Sequence, residues 1–306
     1  MNGVIVIDKP QDFTSFDVVA VMRRLCGQKK IGHTGTLDPM ATGVLPLLLG
    51  KATRAAALLD DTDKEYRAGF QLGYCTDTQD TTGKKLQECG EKVPKSQIEA
   101  VLPYFRGNIW QIPPMYSAVQ KNGQRLYTLA RQGIEVERDK RPVTIYELVL
   151  NEFDENTQSG VLTVRCSAGT YIRTLCADIG EKLGTFGVMS SLRRTRAAGF
   201  SLEDAVSLDE AKLLSEQGTL EQKVRPTESL FYTRPALQVT AAQARRFQNG
   251  GALSLERLSA LPRDRADGST LRVLSPDGVF LGLGAVDGEK AELSVLRLFC
   301  ETGTDF

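Results

Sequence analysis

The 306-residue chain has one histidine and one tryptophan. A single imidazole, His33, excludes a histidine-rich metal site, and a serine–histidine–aspartate relay would have to run through it. The six cysteines, at positions 26, 75, 89, 166, 176 and 300, form no Cys-x-x-Cys pair, so they read as reduced thiols rather than as a disulfide framework or zinc site. Long apolar runs are missing too. The densest, Val44 to Leu49, is broken by Pro46 and falls far short of the ~18 residues that span a bilayer. Met1 to Pro10 has no basic stretch ahead of an apolar one, so no secretory leader and a cytosolic location are expected. Gly50-Lys51-Ala52-Thr53 imitates a phosphate loop, but Leu45 and Ala52 break the pattern at two positions. No dinucleotide fingerprint occurs. No metal, nucleotide or other cofactor is expected.

Net charge is zero, with 38 basic and 38 acidic residues, which argues mildly against a nucleic-acid partner. Local clusters matter more, because a groove needs only local positive potential. Three stand out: Arg23, Arg24, Lys29 and Lys30; Arg138, Lys140 and Arg141; and Lys182, Arg193, Arg194 and Arg196 in an acid-free stretch. Each reads either as a solvated face or as a contact for RNA.

Length suggests about two domains. Val4 to Ile7 is a β-branched strand, and Thr14 with Asp17 signals a helix running to Cys26, stopped by Gly27. Val44 to Leu49 reads as a buried strand. Lys64 to Leu72 reads as a half-buried one, with Tyr66, Ala68, Phe70 and Leu72 on one face. Residues 73–83 read as a loop, Pro94 to Gly107 as a helix, and Asn122-Gly123 as a hairpin turn following a Tyr116–Gln120 strand. Two strands, Val143 to Leu150 and Val161 to Cys166, precede a helix capped by Thr170. Phe186 to Arg196 is extended, and Ser201/Asp204 and Ser207/Glu210 open short helices. A linker-like stretch at 225–235 leads to a small, mostly β region holding one helix capped by Thr240. The expected fold class is α+β: a mixed, mainly antiparallel sheet with flanking helices over 1–230, and a β-rich domain over 235–306.

The richest segment for chemistry is the loop between the first helix and the Val44–Leu49 strand, which holds His33, two threonines, two glycines and Asp38. Asp38 precedes Pro39, so its backbone is biased towards an extended conformation. It reads either as a turn-initiating residue or as a functional carboxylate.

The run Gly32-His33-Thr34-Gly35-Thr36-Leu37-Asp38-Pro39-Met40-Ala41-Thr42-Gly43-Val44-Leu45-Pro46 resembles the signature of the TruB family of tRNA pseudouridine synthases, in its bacterial form. Lys9-Pro10, Lys64-Glu65-Tyr66, Thr76-Asp77-Thr78-Gln79-Asp80 with Gly83, Gly169-Thr170-Tyr171-Ile172-Arg173 and Leu192-Arg193-Arg194 continue the likeness in order. It spans residues 3 to about 200, and the tail falls where bacterial members carry a small PUA-like RNA-binding domain. The resemblance implies an isomerase that converts uridine to pseudouridine at position 55 in the T loop of tRNA, by base flipping, and that assists tRNA folding. Asp38 would be the catalytic aspartate, as nucleophile or as base, and Arg173 the partner holding it ionised. Tyr66 would stack on the target base, Tyr171 and Leu192 line its pocket, Asp80 lie near the extruded nucleotides and Lys9 support the site. His33 would enter the T loop and stack there. The chain departs from the family at Gln120, where many members have lysine; Lys121 follows, and a phosphate contact there is left open. The expected partner is the tRNA T arm, read by a monomer without guide RNA or membrane. A non-catalytic RNA-binding or folding protein, or the same chemistry on another structured RNA, are the alternatives.

Overall fold

The computed structural model describes residues 1–59, 62–258 and 266–300. Its main feature is a ten-stranded sheet. Across the sheet run Ala205–Ser207, Gly3–Lys9, Thr42–Leu49, Gly187–Ala197, Lys64–Leu72, Ser159–Cys166, Arg141–Asp154 and Gly107–Gln111, with Ile31–His33 and Phe200–Ser201 attached at the side. Two pairings are parallel, Gly3–Lys9 with Ala205–Ser207 and Thr42–Leu49 with Gly187–Ala197, and the rest are antiparallel. The mixed, mainly antiparallel sheet expected from sequence is therefore present.

Burial explains the sequence of the first strands. Gly3–Lys9 and Thr42–Leu49 are apolar at nearly every position because both faces are covered. Ile5, Ile7, Leu45 and Leu47 pack with Val18, Val19 and Met22 of the Ser15–Leu25 helix. Val4, Val6, Val44 and Leu48 face the opposite way, towards Phe231, Leu283 and Phe299. Lys64–Leu72 alternates instead, and Tyr66, Ala68, Phe70 and Leu72 join a third cluster with Ile172, Leu175 and Ile179 of the Ile172–Lys182 helix. That helix lies tight on the sheet at Gly180, where an added Cβ would sit 2.2 Å from the Gly187 nitrogen.

Local signals mostly hold. Thr14 and Asp17 form a reciprocal capping box, as do Ser201 with Asp204 and Thr240 with Gln243. Asn122 and Gly123 both have positive φ, 52° and 79°, and turn Gln120–Lys121 back on Gln124–Arg125. Four local readings are corrected. Residues 116–118 are bends, and only Gln120 of that stretch lies in a strand. Within 73–83, Tyr74–Thr76 pairs with Lys85–Glu88 as a small hairpin. Thr170 donates its hydroxyl to the Ser167 carbonyl, and Tyr171 is the N-cap instead. The 225–235 stretch is packed rather than free: it contains the 3₁₀ turn Thr227–Phe231, with Leu230 and Phe231 buried.

Residues 236–298 contribute a second, five-stranded sheet in the order Ala236–Gln238, Thr270–Leu274, Phe280–Asp287, Glu292–Leu298, Leu253–Ser254, around its own core of Leu237, Phe247, Val273, Leu281 and Leu293. It docks on the large sheet through Phe231, Phe280 and Phe299, with ring centroids 5.6–6.2 Å apart, and through an Arg272–Glu228 ion pair of 2.6 Å. The expected boundary at 306 lies outside the described residues.

Candidate active site

Parallel pairing of Arg193 with Thr42 and Arg194 with Gly43 closes the sheet at the point where the chain leaves it as the 34–41 loop. Gly43 has φ 103°, and a Cβ there would meet the Arg194 carbonyl oxygen at 2.2 Å, so only glycine lets the two strands approach. Ser15 on the first helix holds the loop from the other side, accepting from the Leu37 amide at 2.8 Å. Leu37 and Ala41 are buried in the cluster that contains Tyr66 and Leu192. Between them the Ala41 amide donates to the Asp38 carbonyl at 3.0 Å, a turn with Pro39 at its second position. Asp38 therefore starts a turn with its backbone alone, and its carboxylate is left for other use.

That carboxylate meets Arg173. Arg173 Nε lies 3.2 Å from Asp38 Oδ2, and its Nη1 lies 3.5 Å from Asp80 Oδ2. The guanidinium also donates to the Thr78 carbonyl at 3.2 Å and to the Tyr116 carbonyl at 2.8 Å, so a buried cation is satisfied on all sides. Asp80 is buried and accepts from the Thr78 hydroxyl, the Thr82 amide and the Thr82 hydroxyl at 2.6–3.0 Å. Its turn needs Gly83, where a Cβ would meet Thr78 Oγ1 at 2.3 Å. The Asp38 side chain keeps 39% of its exposure while that of Arg173 keeps 7%, so the acid is the accessible member of the pair.

Burial pushes the Asp38 carboxyl above the usual carboxylate range; Arg173 opposes this, Asp80 adds to it and Lys9 opposes it. The arginine favours the charged form, but burial outweighs it. Chemically, such a carboxyl can serve as a base or a nucleophile of more than ordinary basicity. Tyr66 is 6% exposed, and burial pushes its phenol up to about 12. Lys9 has no exposed surface and donates to the carbonyls of Pro10, Phe13 and Pro39, holding the peptide next to Asp38. His33 sits at the end of the Ile31–His33 strand. Burial, with help from Arg194, lowers its pKa, and its buried Nδ1 has no hydrogen-bond partner. The backbone of Tyr171 is held on both sides by Gln111, through bonds of 3.0 and 3.2 Å.

Models of known families cover most of the chain. Residues 23–172 match the TruB family pseudouridylate synthase N-terminal domain, 173–232 the tRNA pseudouridylate synthase B C-terminal domain, and 235–299 the TruB C-terminal domain of pseudouridine synthase II. A tRNA pseudouridine synthase B of Syntrophomonas wolfei is 41% identical over 98% of this chain and 99% of its own length. One of Pseudomonas fluorescens is 43% identical over 97% and 96%. The chain belongs to the TruB family of pseudouridylate synthases. Among solved structures, that of a Cbf5-Nop10-Gar1 complex matches with a TM-score of 0.75 at 27% identity, covering 98% of this chain and 85% of that one. An H/ACA RNP bound to a substrate RNA containing 2'-deoxyuridine matches at 0.74 and 25%, covering 98% and 86%.

The TruB signature positions thus come together at one end of the large sheet: Asp38, Arg173 and Asp80 in contact, Tyr66 and Leu192 in one cluster, and Lys9 behind the loop. His33 shares the loop, on its edge strand, and Tyr171 precedes Arg173 by two positions. Sequence reasoning missed Ser15, Gln111 and above all Arg194, which it placed in a basic cluster. Arg194 is wholly buried, whereas its neighbour Arg193 is half-exposed and pairs with Asp8 at 2.7 Å. Strand alternation around Leu192 was the available signal. In the 120–125 hairpin, Gln120 is exposed and Lys121 Nζ bonds the Glu137 carbonyl. No helix among the described residues is long and apolar enough to cross a membrane.

Proposed function

We propose that the chain isomerises uridine to pseudouridine in tRNA, at position 55 of the T loop, with Asp38 as the essential group. The observation that carries this is the Asp38–Arg173–Asp80 bridge, with Asp38 the half-buried, most accessible member, next to a cluster holding Tyr66 and Leu192. Isomerisation breaks the N1–C1′ bond, turns the uracil and rejoins it through C5, which gives up its proton while N1 takes one, so that the product is an isomer. It needs one group that attacks or deprotonates and a surface that keeps the detached base in place. Asp38 supplies the first, and its position on Arg173 fixes its direction. Tyr66, Leu192 and Tyr171 supply the second. The target must leave its stack, at a cost of a few kcal/mol, and His33 is the residue we assign to fill the space vacated. The S. wolfei and P. fluorescens relatives, named for tRNA, support this substrate. Six free cysteines fit a reducing cytoplasm. Residues 1–230 form the catalytic part, 235–306 add an RNA-binding part, and the working unit is a monomer.

The test is conversion of an unmodified tRNA transcript, and of a T-arm stem-loop, by wild type and Asp38→Asn, read by chemical labelling of pseudouridine. Product from wild type at position 55 and none from Asp38→Asn is expected. Full turnover by the variant would sink Asp38, and product on other structured RNAs but not on the T arm would sink the target. Binding and refolding of the T arm without product would favour the folding-protein alternative.

A further inference from the structure

Arg194 is among the largest wholly buried side chains, yet its charge is met by carbonyl oxygens and a phenol rather than by a carboxylate. Its Nε donates to the Val44 carbonyl at 2.8 Å, Nη2 to Gly35 at 3.1 Å and Nη1 to Thr36 at 3.5 Å. The same guanidinium faces the Tyr66 hydroxyl. Sheet register explains the meeting: Arg194 stands directly opposite Tyr66 across antiparallel strands, so their side chains share a face. On its other side Arg194 pairs with Gly43, just beyond the aspartate loop. Burying a cation without a paired anion costs several kcal/mol, and an apolar side chain would fill this volume without that cost. A purely architectural role therefore does not account for an arginine here.

We propose that Arg194 is a positioning residue for the isomerisation: it ties the Gly35–Thr36 backbone to the Tyr66 hydroxyl and so sets the separation between Asp38 and the ring against which the uracil turns. This rests on the functional reading above. Without exposed surface, Arg194 touches no RNA, so its effect must pass through the loop and through Tyr66. Arg194 also opposes the burial that raises the Tyr66 phenol. An error of about 1 Å in such a separation costs roughly a hundredfold in rate.

The experiment is single-turnover conversion of a tRNA transcript by excess full-length enzyme, with RNA affinity measured in parallel. The proteins are wild type, Arg194→Lys, Arg194→Met, Tyr66→Phe and the double variant Tyr66→Phe/Arg194→Lys, each checked for folding by near-ultraviolet circular dichroism. Arg194→Lys is expected to lose about tenfold in rate and Arg194→Met about a hundredfold, with affinity changed by less than about threefold. In the Tyr66→Phe background the Arg194→Lys loss should shrink by at least about threefold, because the link is already cut. If Arg194→Met does not fold, Arg194→Lys carries the test, since it keeps a buried cation. Full rate in Arg194→Lys would overturn the proposal. So would equal losses in both backgrounds, or affinity falling as far as rate. Wild type without any product would instead sink the functional reading itself.

Discussion

Lys9 offers a test whose size follows from its burial. The side chain has no exposed surface, and its ammonium donates to three carbonyls, those of Pro10, Phe13 and Pro39. Burial lowers its pKa from 10.5 to about 8; Asp12 and Asp38 resist the change without reversing it. Between those two values the unfolded chain holds the proton and the folded chain has released it, so stability rises with pH through this window. Below pH 8 the buried charge is a full cost. The gap between 10.5 and about 8, at about 1.36 kcal/mol per pH unit, makes that cost about 3 kcal/mol. Lys9→Met removes the titration and leaves the three carbonyls without their donor, a loss that does not depend on pH. The stability of wild type relative to Lys9→Met should therefore climb by about 3 kcal/mol from pH 7 to pH 11, whatever the offset. Urea unfolding of both proteins across that range measures it, and groups common to both cancel. A difference that stays flat within about 0.5 kcal/mol, or that falls, would refute the depressed pKa and the argument from burial.

Asp38 has the opposite sign: its raised folded pKa favours the protonated acid, a contribution complete below 3.8 and lost as pH rises through the folded value. Asp38→Asn should therefore unfold at a higher temperature than wild type at pH 7, an advantage that vanishes near pH 4, while making no pseudouridine; calorimetry at both pH values checks it. Arg173→Met leaves the buried Asp80 facing Asp38 without a cation and should cost about 3 kcal/mol in urea unfolding together with most of the single-turnover rate. Gly83→Ala forces a Cβ to 2.3 Å from Thr78 Oγ1 and 2.4 Å from Asp77 Oδ1. It should cost about 1–3 kcal/mol and slow turnover by displacing Asp80, with Gly83→Ser no better.

The sequence by itself determined the local pieces and the class of fold. Capping boxes at Thr14, Ser201 and Thr240 are contacts between residues three apart, so they are written in short stretches and form as read. Alternation in Lys64–Leu72 announced which face Tyr66 would take, and the fifteen-residue run around Asp38 announced the family. At Asp38 the sequence left open a turn residue or a functional acid; in the structure its backbone makes the turn and its carboxylate pairs with Arg173. Only the tertiary structure could decide the rest. Arg173 reaches Asp38 across 135 positions, and Arg194 reaches Gly35 across 159. Strand alternation puts Arg194 on the face of Leu192 and Arg193 on the other, but only the assembled sheet says which face is dry. The direction of the Asp38 shift was equally hidden. A charged partner is legible in a motif, but the burial that outweighs it arises only when distant strands and helices close around the loop.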